Sequence, residues 1–165
     1  MQLVVADAGP LIALAVAGVL PLALEQFEFS VPQAVLNECL ADMYSPGAQS
    51  IFEASRQPAF TLIPNSAIQA LDSAYAMGLG SGEVAVLSYA HEHSQIALID
   101  ERRARRIAQK LGVSVVGSGA VLLALKKCGA VASIQPPLKA WAKHGYFLSP
   151  ALQNQLLASA GEKAS

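Results

Sequence analysis

Four of the twelve acidic residues stand where a carboxylate could do chemistry: Asp7, Glu38, Glu83 and Asp100. Asp7 is the clearest, because it is the one charged residue in the apolar stretch LVVADAGPLIALAVAGVLPLAL (residues 3–24). An ionised aspartate removed from water costs roughly several kcal/mol unless it is paired, hydrogen-bonded or bound to a metal ion. We therefore predict a functional role for Asp7, with hydrogen bonding to the amides of the following AGP turn as the alternative.

The other three acids each have a structural alternative. Asp100 could cap a helix that begins near Glu101, and Glu83 follows the GSG stretch (residues 80–82), where a helix dipole favours a carboxylate. Glu38 could be a solvent-exposed residue beside the apolar face of a helix. Four clustered carboxylates repel one another, however, so a cluster of this kind is unfavourable without cations. Mg²⁺ and Mn²⁺ prefer oxygen ligands, activate water and stabilise phosphoryl displacement. The combination predicts a metal-dependent nuclease.

Strands and helices that alternate along the chain are predicted to position these acids. The predicted strands are QLVVA (2–6), AFTLIP (59–64), QIALID (95–100) and VSVVG (113–117). Helices are predicted after residue 7 and over 31–43, 50–56, 65–77, 83–93, 101–112 and 118–129, with two more around 138–143 and 150–158. This order predicts an α/β fold in which helices cover both faces of a parallel sheet. Ligands bind such sheets at the carboxyl ends of the strands, where Asp7 and Asp100 are expected to meet.

Composition limits the class of protein. A chain of 165 residues that is 53% hydrophobic and 14% charged fits one folded domain over residues 1–165, and its net charge of −1 neither requires nor forbids a polyanionic partner. Cys39 and Cys128 form no CxxC motif and are expected to be reduced thiols, which suits the cytoplasm. The N-terminal apolar run has no basic flank and is interrupted by Pro10, Gly18 and Pro21, so neither a signal peptide nor a membrane span is predicted.

Four of the five arginines lie between Arg102 and Arg106. On the predicted helix, Arg102 and Arg106 are four residues apart and share one side, whereas Arg103 and Arg105 lie on others. We predict phosphate contacts by Arg102 and Arg106, with a solvated basic face as the alternative.

Trp141, Tyr146 and Phe147 form the main aromatic group near the C-terminus. They could provide a platform on which nucleic-acid bases stack. At this spacing, in so apolar a chain, a role in the core or in a dimer contact is favoured.

Five segments in this order carry a resemblance to a known family: VVADAGPLIALA, VPQAVLNEC, GSGEVAVLSYA, ALIDERRARRIAQKLGVSVVGSGAVLLALKKCG and HGYFLSPALQNQLLASAGE. Together they span nearly the whole chain, from Leu3 to about Glu162. The sequence resembles proteins of the PIN-domain family, and most of all the branch related to VapC-type toxin ribonucleases.

The resemblance implies a three-layer α/β/α fold with a central, mostly parallel sheet, on which C-terminal helices at about 136–160 pack. It also implies an acidic pocket that binds Mg²⁺ or Mn²⁺ and hydrolyses RNA phosphodiester bonds. The family's four acids fall on Asp7, Glu38, Glu83 and Asp100. We expect Asp7, Glu83 and Asp100 to hold the ion directly or through water, and Glu38 to complete the site or polarise the attacking water. Ser118 is expected to orient a water or a phosphate.

The resemblance also implies partners. Family members usually form homodimers, and the toxins pair with a small antitoxin whose tail fills or blocks the acidic pocket. The alternative function is a PIN fold used as a protein-binding or assembly module with little or no nuclease activity. The low charge and large apolar fraction of the chain favour that alternative, whereas the intact set of four acids favours the nuclease.

Overall fold

The computed structural model describes residues 1–146 and 148–164, and its centre is a sheet of five parallel strands. The strands are β1 (Gln2–Ala6), β2 (Phe27–Pro32), β3 (Phe60–Ile63), β4 (Ile96–Leu98) and β5 (Val115–Val116). Their order across the sheet is β3-β2-β1-β4-β5. Strand β1 is central, with Val4 opposite Phe29 on one side and Ile96 on the other.

Ten helices surround this sheet in the part of the chain that is described. They are α1 (Ala8–Val16), α2 (Leu20–Gln26), α3 (Gln33–Leu40), α4 (Ala48–Ala54), α5 (Ser73–Ala76), α6 (Ser81–Glu92), α7 (Arg102–Leu111), α8 (Ser118–Lys127), α9 (Gln135–Lys143) and α10 (Pro150–Ser159). The predicted three-layer α/β fold with a parallel central sheet is confirmed. Helix α9 contacts α1, and helix α10 contacts α8.

Strand β2 is absent from the prediction, which gave four strands rather than five. Its sequence, FEFSVP, alternates apolar and polar residues from Phe27 to Val31, as a strand does, but the helix predicted over 31–43 includes its last two residues. The strand pairs with both β1 and β3. A local signal for this strand was therefore present, and the prediction missed it.

The helix predicted over residues 65–77 does not form as one element. A 3₁₀ turn at Asn65–Ala67 and the four-residue helix α5 take its place, and most of the segment is exposed. The Asp72 side chain accepts a hydrogen bond from the backbone N–H of Ala74 at 2.9 Å, so a new helix starts at that point. The segment buries no continuous apolar face, and helices this short depend on such packing for their stability.

The long apolar stretch at the N-terminus folds as β1 and two helices. Helices α1 and α2 are separated by a turn in which Gly18 adopts a left-handed conformation with φ of 72°. No single helix in the described residues is long and apolar enough to cross a membrane. Helices α1 and α2 would suffice together by length and composition alone, but they are bent by 116° at their break.

The strand order creates a crevice beside the central strand. The chain runs outward from β1 through β2 to β3, then returns to place β4 and β5 on the other side of β1. Ligands bind α/β sheets where the order reverses in this way, outside the carboxyl ends of the strands. In this sheet that position lies between β1 and β4, the two strands that are followed by Asp7 and Asp100.

Candidate active site

Asp7 and Asp100 border the crevice from its two central strands. Asp7 follows β1 directly, and its backbone N–H donates to the Leu98 carbonyl of β4 at 3.0 Å. The Asp7 side chain is only 6% exposed. Asp100 lies two residues beyond β4, and its side chain is exposed at the rim.

Helices α3 and α6 bring two further acids to the same place. Glu38 is on α3, and Glu83 is in the first turn of α6, where its Oε2 accepts a hydrogen bond from the Gly80 N–H at 2.9 Å. Gly82 allows the close approach of the helices. A Cβ atom at this position would lie 3.0 Å from Glu38 Oε2 and 3.7 Å from Asp7 Oδ1.

The four predicted acids therefore line one cavity of about 480 Å³. Burial raises the pKa of Asp7 to about 6, and the negative charges of Glu83, Glu38 and Asp100 act in the same direction. A hydrogen bond from the Ala8 N–H opposes this rise. The carboxylates thus repel one another within a partly buried space, and this arrangement favours a bound cation.

Ser118 has a different environment from the predicted one. Its side chain is 3% exposed, and its hydroxyl donates a short hydrogen bond to Asp100 Oδ2. Its backbone N–H, at the start of α8, donates to Asp100 Oδ1 at 2.8 Å. Both donors of Ser118 therefore hold the Asp100 carboxylate in place, instead of facing an open position for water or phosphate.

Asp100 does not cap the helix that follows it, which was the structural alternative to a role in the site. Glu101, and not Asp100, caps helix α7, since Glu101 Oε2 accepts a hydrogen bond from the Ala104 N–H at 2.7 Å. Asp100 remains at the rim of the acidic cavity.

The arginines of α7 are distributed differently from the prediction. Arg102 and Arg106 are exposed and are not among the residues that line the acidic cavity. Arg103 Nη2 donates to the Met77 carbonyl at 3.3 Å and so holds the exposed segment that precedes α6. Arg105 lines a second cavity together with Asp100 and Ser118.

Tyr146 lies in the site, although the sequence favours a role for it in the core or in a dimer contact. It lines the acidic cavity, and its hydroxyl donates to the Gly9 carbonyl at 3.4 Å. Burial raises the pKa of the Tyr146 phenol, and the charge on Asp100 adds to this effect. Only the tertiary structure places Tyr146 beside the acids, because its contact with Gly9 joins segments 137 residues apart.

Trp141, from the same C-terminal aromatic group as Tyr146, lies in the core. Trp141 is 2% exposed, and its Nε1–H donates to the Ala13 carbonyl at 2.8 Å. Phe147 lies outside the described residues.

The donor set suits a hard divalent cation, although its side chains do not converge on one point. Within residues 1–146 and 148–164, no three His, Cys, Asp or Glu side chains lie close enough to hold an ion directly. The four predicted donors are all carboxylates, and Mg²⁺ commonly takes one or two carboxylates while it keeps several waters. The acids therefore fit an ion that is bound partly through water.

Comparison with known proteins identifies the family. The family model described as "DUF3368: PIN domain" matches residues 3–162, almost the whole chain. The chain belongs to the PIN-domain family. PIN domains are generally nucleases and generally use divalent metal ions.

A solved structure supports the fold of this PIN domain. The chain is similar to a PilT N-terminus domain protein, SSO1118, from the hyperthermophilic archaeon Sulfolobus solfataricus P2, with a TM-score of 0.54 and 13% sequence identity. The match covers 74% of this chain and 92% of that protein. A search of curated proteins found no significant match.

Proposed function

We propose that this PIN domain is a divalent-metal-dependent endoribonuclease that hydrolyses RNA phosphodiester bonds in the acidic cavity. The observation that carries the proposal is a group of four acids in one cavity, in which burial raises the pKa of Asp7 and the charges of the other three acids raise it further. Such repulsion is costly for a purely structural cluster, whereas it is relieved by a cation. A binding module has no need of this arrangement.

In this proposal Asp7, Glu83 and Asp100 hold Mg²⁺ or Mn²⁺, directly or through water. When bound, an ion of this kind lowers the pKa of a water molecule and stabilises the charge that develops on the phosphate. Ser118 fixes the orientation of Asp100 through two hydrogen bonds. Glu38, held beside Asp7 above Gly82, completes the site or accepts a hydrogen bond from the attacking water.

The test is cleavage of a mixed structured RNA by the purified protein, in Mn²⁺, in Mg²⁺ and in EDTA. Metal-dependent cuts that disappear in Asp7→Asn and Asp100→Asn are expected. Asp42→Asn is the matched control, because Asp42 is an exposed aspartate that is not part of the acidic cavity lining. A single-stranded DNA of the same sequence tests whether RNA is the preferred substrate.

The result that overturns the proposal is a folded wild-type protein that is as inert as both variants with every metal. The alternative of a protein-binding or assembly module would then hold. Cleavage that is equal in wild type and in both variants would instead point to a contaminating nuclease.

Two partners extend the proposal, a second copy of the chain and a small antitoxin. If the protein is a toxin, the negative cavity would accept an arginine from the antitoxin's tail, since guanidinium groups bind carboxylates with strong charge-assisted hydrogen bonds. A basic peptide that competes with Mn²⁺ would support this regulation, and a peptide without effect would contradict it. Sedimentation of the free protein would test the homodimer.

A further inference from the structure

A second cavity, of about 390 Å³, adjoins the acidic one. One side is formed by the first turn of α8 and by Arg105 of α7. The opposite side is apolar and is formed by four residues of the C-terminal region: Trp141, Leu148, Leu152 and Leu156. The cavity thus combines the Arg105 cation and, at the edge shared with the acidic cavity, the Asp100 carboxylate with an apolar wall.

The two cavities are neighbours, because Asp100 and Tyr146 line both. A molecule in the second cavity therefore lies beside the acids of the first. This continuity matters for a chain substrate such as RNA, which must extend beyond the bond that is cut.

Arg105 faces Asp100 across Gly117. A Cβ atom at position 117 would lie 3.1 Å from Arg105 Nη1 and 2.9 Å from Asp100 Oδ1. Glycine at this position leaves the space between the two charged groups open. Arg105 forms no ion pair with any of the described residues, so its guanidinium is available to an anion at the edge of the acidic cavity.

The apolar wall suits a flat ring better than it suits a second charge. The Nε1–H of Trp141 is already donated to the Ala13 carbonyl at 2.8 Å. Trp141 is only 2% exposed, so Leu148 and Leu152 supply most of the apolar surface that the wall offers to a ligand. Proteins bind single-stranded nucleic acid by combining positive charge, which contacts the phosphates, with surfaces against which bases stack. The cavity volume falls in the usual range of small-ligand sites, about 300–1,000 Å³, and therefore suits one nucleotide and not a duplex.

We propose that this second cavity binds the nucleotide next to the scissile phosphate of single-stranded RNA, with the base against the apolar wall and a phosphate on Arg105. This inference rests on the proposed nuclease function and adds to it a specificity site. It assigns the phosphate contact to Arg105 in place of Arg102 and Arg106.

The experiment uses Trp141, the one tryptophan of the chain, as a fluorescent reporter inside the cavity. Adenosine and uridine monophosphates are titrated into the full-length protein in EDTA, with ribose 5-phosphate and the free nucleosides as ligands that lack the base or the phosphate. Saturable quenching by the monophosphates, and weaker binding of both partial ligands, is expected.

Three variants sharpen the test. Arg105→Gln should weaken monophosphate binding by about tenfold or more, because hydrogen bonds to charged groups are among the stronger ones. Arg102→Gln, on the same helix but outside the cavity lining, should leave the affinity unchanged. Ala120 is exposed at the cavity wall, so Ala120→Phe should block binding without disturbing the core. Circular dichroism checks that each variant is folded.

The outcomes separate this inference from the nuclease proposal. Quenching without RNA cleavage in any metal would retain the nucleotide site and refute the nuclease. Cleavage without quenching would retain the nuclease and overturn the nucleotide site. The inference is also wrong if ribose 5-phosphate binds as well as the monophosphates, if the two arginine variants behave alike, or if a short apolar peptide quenches Trp141 and nucleotides do not.

Discussion

Asp7→Asn should make the metal-free protein more stable at neutral pH while it abolishes metal-dependent cleavage. The reason is the environment of Asp7, which is 6% exposed and surrounded by three other acids. Asparagine has nearly the same shape as aspartate but carries no charge. The substitution therefore removes the cost of burying a negative charge beside other negative charges.

The magnitude follows from the pKa of Asp7, which is raised from 3.8 to about 6 in the folded protein. Each pKa unit between folded and unfolded states corresponds to about 1.36 kcal/mol, so this difference is worth about 3 kcal/mol. Between pH 3.8 and about 6 the folded state binds more protons than the unfolded state, and the free energy of unfolding falls as pH rises. Below this pH window Asp7 is protonated in both states and has no effect on the free energy of unfolding. Above it Asp7 is charged in both states, and the folded state is destabilised by the full amount.

The assay is urea unfolding in EDTA from acid to neutral pH, followed by Trp141 fluorescence. Asp7→Asn and wild type should have similar free energies of unfolding near pH 4, and the variant should be more stable by about 3 kcal/mol near pH 7. Asp42→Asn, an exposed aspartate, is the control and should follow wild type at every pH.

Equal stability of wild type and Asp7→Asn at neutral pH would refute this reasoning, because Asp7 would then carry no uncompensated charge. Mn²⁺ supplies a second check. It should raise the free energy of unfolding of wild type but not of Asp7→Asn, since a ligand that binds only the folded state stabilises it.

Three further predictions concern the groups around the acids. Ser118→Ala removes the buried hydroxyl that donates to Asp100, so we expect the free energy of unfolding in urea to fall by about 2 kcal/mol. An unchanged free energy of unfolding would contradict the role of this hydrogen bond. Gly82→Ala places a Cβ 3.0 Å from Glu38 Oε2, and cleavage should fall by roughly tenfold or less because the carboxylate must shift slightly. The thermal midpoint of this variant should change little, because the gain of roughly 1 kcal/mol in helix propensity from alanine offsets the cost of the close contact. A rate equal to wild type would show that Glu38 tolerates displacement. Glu101→Ala removes the cap of α7 and should lower the free energy of unfolding by about 1 kcal/mol, whereas no change would show that solvent replaces the cap.

The position of the candidate site along the chain follows from local sequence. Asp7 and Asp100 each come at or just after the end of a short apolar strand, and alternation of strands with helices predicts a parallel sheet. In such a sheet, residues at the carboxyl ends of neighbouring strands meet whatever the details of packing. Local patterns are therefore enough to assign Asp7 and Asp100 to one crevice.

The two elements that the sequence prediction got wrong differ in cause. Strand β2 carries the alternating pattern of a strand in FEFSV, but this pattern is short and adjoins a predicted helix. Residues 65–77 have helical composition but bury no continuous apolar face, so the lack of tertiary packing overrides local propensity there.

Local sequence determined that Asp7, Glu83 and Asp100 could act together, because strand ends and helix starts are set by patterns a few residues long. Glu38 lies inside α3, and the family resemblance assigned it to the site. Only the tertiary structure decided which other residues hydrogen-bond to these acids or line the cavities beside them. Ser118 holds Asp100 across 18 residues of chain, and Tyr146 reaches Gly9 across 137. Arg105, and not Arg102, lines a cavity beside the acids because of how α7 and α8 pack. Such contacts depend on the relative placement of whole elements, which no spacing within one element encodes.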